Sequence, residues 1–373
     1  MEPALQNVDS PLPAGQLVAK LPVMQSGALP LSLAPGWKNA PPRSTGRTLV
    51  WQSEGRWVAS DTDFANPRNL GPVAQVECPP ATDGERGAAY YYHCAGWGAQ
   101  RDVSEIRRGD LAAGGSEPVF QLGLNKWALW LCRYLPERHS IAALVATEMP
   151  RRNDGGVVIQ HQLGLFDLEN QRSLLTLLPR DCFYPLALDP ASERVLFHGA
   201  EGYQVVDFSG KRLWKLGGRG LPDGRGGAFH PEKPDAIVLG GDGLMLVRQS
   251  GEFERIHERG LNPVWSPDGE TLYYSESSSD LWRWDPKTRA RECLLAVAGN
   301  RYAEVNRARP VVVSPDGLFA AVTLTRRIQR QSLDGAVGGE PKANWAEWRA
   351  VCILDLQNRE VWQTPGAGPL NWA

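Results

Sequence analysis

"NPVWSPDGETLYYSESSSDLWRWDPKTR", residues 262–289, gathers three tryptophans, two tyrosines and two proline-centred turns in one short stretch. Pro263, Val264 and Trp265 suit an extended strand. Ser266-Pro267-Asp268-Gly269 then matches a type I turn, with Ser first, Pro fixing φ in second place and Gly fourth. Thr271 to Tyr274 are β-formers, and the polar run from Ser275 to Asp280 turns the chain. Leu281 to Trp284 is extended again, and Asp285-Pro286-Lys287-Thr288 makes the next turn. A four-stranded antiparallel unit of this size cannot bury its own faces, so it requires neighbours of the same kind.

The unit recurs. "YPLALDPASERVLFHGAEGYQVVDFSGKRLWKL" (184–216), "GGAFHPEKPDAIVLGGDGLMLVRQSGEFERI" (226–256) and "RPVVVSPDGLFAAVTLTRR" (309–327) with "AVCILDLQNREVWQTP" (350–365) repeat its order. In each, an apolar strand ends at a proline turn, a second follows, and a third ends near an Asp and a polar turn. The turn prolines Pro190, Pro231, Pro267 and Pro315 are 41, 36 and 48 residues apart, close to the roughly 40–50 of a propeller blade. His230 takes the Ser position of one such turn, where its ring can cap the turn backbone.

Upstream the pattern is looser. Residues 125–148 with 163–178 make another blade, Asp167 standing where Asp207, Asp285 and Asp355 stand in the others; residues 73–97 with 102–110 make a further one. "TLVWQSEGRWVASDTD" (48–63) and "PRNL" supply three strands, and the C-terminal "GPLNWA" (368–373) resembles the inner strand that this blade lacks. The expected fold is therefore all-β: a seven-bladed β-propeller of four-stranded antiparallel blades over residues 47–373, its ring closed by the C-terminal strand. "ALPLSLAPG" (28–36) is the rival inner strand, but Pro41, Pro42 and the following Ser-Thr-Gly separate it awkwardly from the next strand. Residues 1–46, Pro-rich and without blade pattern, are expected as an N-terminal extension wrapped on the outside or partly disordered.

The S-P-D-G turn between apolar strands, intact at Ser266–Gly269 and Ser314–Gly317, resembles the repeats of TolB-like propellers, which are related in shape to WD-repeat propellers. The resemblance covers about residues 48–373 and implies the fold. It says little of function, since such propellers include scaffolds, periplasmic adaptors and the gating domains of prolyl oligopeptidases.

Composition agrees with many short strands: 39 Gly and 29 Pro in 373 residues, with 42% hydrophobic residues and no long helical pattern. A net charge of −2 gives the whole molecule no bias towards nucleic acid or an anionic membrane. No run of apolar residues suits a transmembrane helix or a signal peptide. The six cysteines are scattered without a CxxC pair, as free thiols in a reducing cytoplasm would be. The expected compartment is the cytoplasm, with export as the alternative if a signal peptide has been removed.

Catalytic signatures are missing. No G-x-S-x-G elbow occurs, and the Gly of S-P-D-G comes one residue too early for a sialidase Asp box. The six histidines lack HxH or HExxH spacing, so no metal or other cofactor is expected. "GGRGLPDGRGG" (217–227) sits between strands with no following helix and reads as an inter-blade loop rather than a phosphate cradle.

The departures from the repeat carry the functional signal. One face of a propeller bears the loops from strand two to three and from strand four to the next blade. On that face the final blade has an insert at 325–349, the third at 149–162 and the second at 94–102. Arg326, Arg327, Arg330, Trp345, Trp348, Arg151, Arg152, Trp97, Arg101, Arg225, Arg301 and Arg309 fall within or beside the loops of this face, opposite a turn face richer in acids. A basic, Trp-bearing rim suits an acidic protein partner, because Arg and Trp are favoured hot-spot residues. The expected function is a monomeric, non-enzymatic protein-binding module of adaptor, scaffold or toxin-neutralising type. A single-stranded RNA binder using the same rim, and a glycosidase or lyase with channel-mouth carboxylates, are the alternatives.

Overall fold

The computed structural model describes residues 28–73, 79–95, 103–123, 126–150, 157–178, 182–189, 191–199, 201–217, 220–299, 311–330 and 344–373. Two short strands, β1 (Leu31–Leu33) and β2 (Lys38–Asn39), come first. Blade I contains β3 (Thr48–Ser53), β4 (Arg56–Asp61) and β5 (Arg68–Pro72); blade II contains β6 (Ala81–Asp83), β7 (Ala88–Ala95), β8 (Val103–Asp110) and β9 (Ser116–Gln121). Blade III contains β10 (Lys126–Leu135), β11 (Ser140–Pro150), β12 (Val157–Asp167) and β13 (Arg172–Leu177). Blade IV contains β14 (Cys182–Asp189), β15 (Arg194–Gly199), β16 (Gly202–Asp207) and β17 (Arg212–Leu216). Blade V contains β18 (Gly227–Phe229), β19 (Ala236–Leu239), β20 (Leu244–Arg248) and β21 (Phe253–His257). Blade VI contains β22 (Leu261–Trp265), β23 (Leu272–Ser275), β24 (Asp280–Trp284) and β25 (Arg291–Val297). Blade VII contains β26 (Val312–Val313), β27 (Phe319–Arg330), β28 (Asn344–Asp355) and β29 (Glu360–Pro365), after which β30 (Ala367–Trp372) returns to blade I.

Each blade is a four-stranded antiparallel meander, and the seven together form a β-propeller. Blade I has the order β30-β3-β4-β5, so the C-terminal strand closes the ring from the inside, with Leu49 opposite Trp372. The rival segment has another place. β1 pairs with β25 and β2 with β29, which makes residues 31–39 a fifth, outermost layer on blades VI and VII. Leu29, Ala34 and Trp37 are buried in the seam between those blades. Arg43 continues this strap by bridging to Asp355, and Arg47 by bridging to Asp316.

The core is a set of seams, because the two-residue period of a strand sends alternate side chains to opposite neighbours. On β27, Ala320, Val322 and Leu324 pack with Tyr273 and Leu281 of blade VI, while Ala321 packs with Leu49, Trp51 and Trp372 of blade I. Every seam is thus built from two blades at once, which is why a single blade could not stand alone.

Turn chemistry positions the strands as the residues suggest. The Ser266 hydroxyl accepts from Thr271 N–H at 2.9 Å and donates to Asp268 at 2.5 Å; Ser314 does the same with Phe319 N–H at 2.9 Å and Asp316 at 2.6 Å. His230 substitutes for Ser with its ring: Nδ1 accepts from the N–H groups of Glu232 and Lys233, both at 3.1 Å. A Cβ at Gly269 would lie 2.4 Å from this ring, and the residue has φ +67°, so both space and backbone require glycine there. At the end of the third strand Asp110, Asp167, Asp207, Asp285 and Asp355 each accept N–H groups from the turn that follows.

Candidate functional site

Blades VII, III and II rise above the others on the face that bears the strand two-to-three connections. The segment at 325–349, expected as a looped insert, begins and ends as continued ladder. The outer strand β29 stops at Pro365, opposite Ala350, yet β27 and β28 remain paired through six further positions, from Thr325↔Arg349 to Arg330↔Asn344. At roughly 3.3 Å per residue, those six pairs lift a two-stranded ribbon about 20 Å above the blade. On blade III the β11–β12 ladder extends to Pro150↔Val157, and on blade II the β7–β8 ladder extends to Ala95↔Val103.

The root of the ribbon is fixed to blade VI. Thr325 N–H donates to Ser278 O at 2.9 Å, and the Ser279 hydroxyl donates to Thr325 O at 2.8 Å. Asp280 holds the same loop by accepting from Glu276 N–H at 2.7 Å and Ser277 N–H at 3.2 Å. What stands on the ribbon is therefore presented by a rigid base.

The two faces of the ribbon differ in chemistry. On the side towards blade VI, Arg326 lies opposite Trp348 with its guanidinium carbon 6.0 Å from the ring centroid. The inner edge of Trp348 packs on the seam between blades VI and VII. Arg326 Nε is buried without a hydrogen-bond partner among the described residues, so this cation is oriented by the indole rather than by a counter-ion. On the other side Arg327 Nε donates to Glu347 at 3.0 Å, and Arg349 Nε donates to the second oxygen of the same carboxylate at 2.5 Å. Arg327, read from the sequence as a rim charge, is thus half-buried in an ion-paired triad whose other members sequence reasoning passed over. The signal that could have found them is the sequence AEWRA (346–350), whose apolar and polar residues alternate as a strand requires.

Of the remaining rim residues, Arg330 and Trp345 occupy ladder positions opposite Asn344 and Gln329. Arg225 is tied into its own loop, its Nε donating to Asp223 at 2.6 Å. Arg151, Arg152, Trp97, Arg101, Arg301 and Arg309 lie outside the described residues.

Three described carboxylates on this face are engaged by the fold. Asp223 and Asp242 accept from each other's backbone N–H, at 3.1 and 2.9 Å. Glu276 meets Arg291 NH2 at 2.5 Å and His257 Nε2 at 3.0 Å in the seam between blades V and VI. Burial raises the Glu276 carboxyl against the pull of Arg291, and burial, aided by Arg291, lowers the His257 ring. On the opposite face four of the acids are ion-paired: Glu193 with Arg138, Asp235 with Arg248, Glu270 with Lys287 and Asp316 with Arg47. The charge contrast between the two faces is correspondingly smaller than the residue count implies.

Among solved structures the chain is similar to TolB from Acinetobacter baumannii, with 11% identity over 89% of this chain and 68% of that one and a TM-score of 0.45. It is also similar to the WD40 β-propeller domain of Doa1, with 11% identity over 80% of this chain and 94% of that one and a TM-score of 0.50. At such identity the likeness is one of fold. No protein-family model matches the chain, and no curated protein matches it.

Proposed function

We propose that this chain is a non-enzymatic protein-binding module, of adaptor, scaffold or neutralising type, whose ribbon-bearing face docks an acidic surface of a partner protein. The observation that carries the reading is the blade VII ribbon, a rigidly rooted two-stranded projection that presents Arg326 against Trp348. Burial gives no reason to project an arginine-rich ribbon about 20 Å from its blade. An Arg held on an indole is a preorganised cation, and such pairs serve interfaces well because little side-chain freedom remains to be lost on binding. Arg330 and Trp345 on the ribbon, with Arg101, Arg151, Arg152, Arg301, Arg309 and Trp97 of the neighbouring loops, would complete the contact surface. Arg225 would join at its edge. Propellers of this kind commonly serve as protein-interaction modules.

The test is a ribbon deletion, with residues 326–348 replaced by an Asn-Gly turn that closes the hairpin at Thr325 and Arg349. A partner recovered with the intact chain and identified by mass spectrometry is titrated against both proteins by calorimetry. The reading requires at least tenfold weaker binding by a deleted chain that still melts cooperatively, its melting temperature lowered only by the loss of the Trp348 packing and the Arg327–Glu347 pair. Equal affinity moves the interface away from the ribbon.

A further inference from the structure

A second site lies on the other side of the molecule. Where the blade III sheet faces blade IV, near the proline-turn end, a cavity of about 350 Å³ opens to solvent. This volume is at the small end of ligand pockets, which run from roughly 300 to 1,000 Å³. Its apolar wall is Leu135, Leu165 and Leu174, and its polar margin includes Arg138, Asp167 and Arg172.

The register explains the grouping. Leu165 is opposite Leu174, and Asp167 is opposite Arg172, so these four side chains share the sheet face that looks towards blade IV. Leu174 is 60% exposed although it stands in a cavity wall. Leu177 at 56% continues the same outer strand, and Leu213 at 41% stands on the outer strand of blade IV. The blade IV turn reaches this strand, since a Cβ at Gly210 would lie 2.8 Å from the Leu177 carbonyl oxygen. The strap that covers the outer strands of blades VI and VII is not what covers this one.

The charges at the cavity are unequally available. Asp167 accepts from Glu169 N–H at 3.0 Å, Asn170 N–H at 2.9 Å and Asn170 Nδ2 at 2.8 Å, so its oxygens serve their own turn. Arg138 is engaged by Glu193, across the seam. Arg172 is exposed and, among the described residues, makes no hydrogen bond; it lies across the ladder from Asp167, whose carboxyl its charge helps to hold low, and its own donors stay open to solvent. An apolar wall beside an available guanidinium is complementary to an apolar group that ends in an anion.

We propose that this cavity binds the free C-terminus of a peptide, the side chain of an apolar last residue resting on Leu165 and Leu174 and the carboxylate pairing with Arg172. A planar guanidinium can bind a carboxylate through two parallel hydrogen bonds, and such a pair fixes the orientation of the chain end. The site is independent of the ribbon and faces the other way, so one propeller could join two partners.

The probe is fluorescein-Gly-Ser-Gly-Ser-Leu-Leu with a free carboxylate, compared by fluorescence anisotropy with the same peptide as its C-terminal amide. Saturable binding of the acid, at least tenfold weaker for the amide, is expected. Arg172→Glu should weaken the acid at least tenfold and leave the amide unchanged, Leu174→Ser should weaken both, and Arg326→Glu should affect neither. The melting temperature of each variant provides the folding check, with Arg172→Gln as the milder second variant. The proposal is overturned if the acid does not bind below 1 mM, if acid and amide bind alike, or if a folded Arg172→Glu protein binds as the wild type does.

Discussion

Leu49 and Trp372 face each other across the β3–β30 pair, so the first and last strands of the ring meet in one antiparallel ladder on the inside of blade I. Trp372 is buried against Leu49, Trp51 and Leu370, and its Nε1 donates to Val312 O at 3.1 Å, which ties the closing strand to blade VII as well. Trp372→Ala removes the packing of a whole indole and should destabilise the protein by about 3–5 kcal/mol. Removing residues 366–373 should lower the melting temperature further. Urea unfolding followed by tryptophan fluorescence measures both, and an unchanged midpoint for the truncation would refute closure from the inside.

The strap makes a separate contribution at the outside. Arg43 bridges to buried Asp355 and lies over Trp362 at 5.3 Å from the ring centroid. Burial opposes ionisation of Asp355, yet hydrogen bonds from Asn358 and Arg43 hold its carboxyl below the usual range. Arg43→Ala leaves that carboxylate with its turn donors only and should cost about 1–3 kcal/mol. Trp37→Ala empties the seam between blades VI and VII and should cost about 3–5 kcal/mol. Differential scanning calorimetry of the two variants gives the comparison. A chain whose melting is indifferent to both would show that the strap does not hold the ring.

The blades were legible because the chemistry that makes them is local: Ser266 and Asp268, two residues apart, cap one four-residue turn, and Asp285 caps the next. The strap was legible only as an extension outside the blades; its pairing was not, because β1 and β2 are three and two residues long and attach by backbone pairing to an open edge, for which no side-chain period is needed. The ribbon was read as loop for a related reason. Its described side chains are held by the Arg326–Trp348 contact and the Arg327–Glu347 pair rather than by an apolar stripe, so T-R-R-I-Q-R (325–330) shows no alternation. The partnership of Arg327 with Glu347 is non-local and becomes visible only once the β27–β28 register is known. His230 was legible, because its position in a repeated turn assigned it a task that an imidazole can perform.

That task makes stability depend on pH. His230 Nδ1 accepts two backbone N–H groups, so the ring must be neutral with its proton on Nε2, and burial, reinforced by Lys233, lowers its pKa. In the unfolded chain a histidine titrates at about 6.5. Between that value and the lower folded one the unfolded state binds the extra proton, so stability is full above about pH 6.5 and falls as the pH drops. Burial lowers His93, His198 and His257 in the same direction. The turn aspartates Asp110, Asp167, Asp207 and Asp285, held low by hydrogen bonds, extend the loss below about pH 3.9. His230→Ser keeps a turn cap of the Ser266 type but cannot titrate. It should be less stable at pH 7, where it lacks the ring packed on Trp265, and should lose less between pH 7 and pH 5. Urea midpoints at the two pH values decide, and an unaltered pH dependence would remove His230 from the account.

Arg326 and Arg327 are neighbours in sequence with opposite expected responses to charge reversal. Arg327→Glu places a carboxylate across the ladder from Glu347 and breaks the pair it makes with Arg327, so it should destabilise the free protein by about 1–3 kcal/mol. Arg326→Glu loses a contact with the Trp348 ring worth about 0.5–1 kcal/mol and disturbs no ion pair of the described residues. If the ribbon docks an acidic surface, Arg326→Glu should nevertheless weaken the partner at least tenfold, about 1.4 kcal/mol, because an attraction becomes a repulsion. Arg326→Glu with Arg330→Glu should weaken it further and flatten the fall of affinity with salt. Calorimetric titration against the recovered partner, with a melting curve for each variant, separates the two effects. A partner that binds the folded Arg326→Glu protein as tightly as wild type would assign Arg326 and Trp348 to the architecture of the ribbon alone.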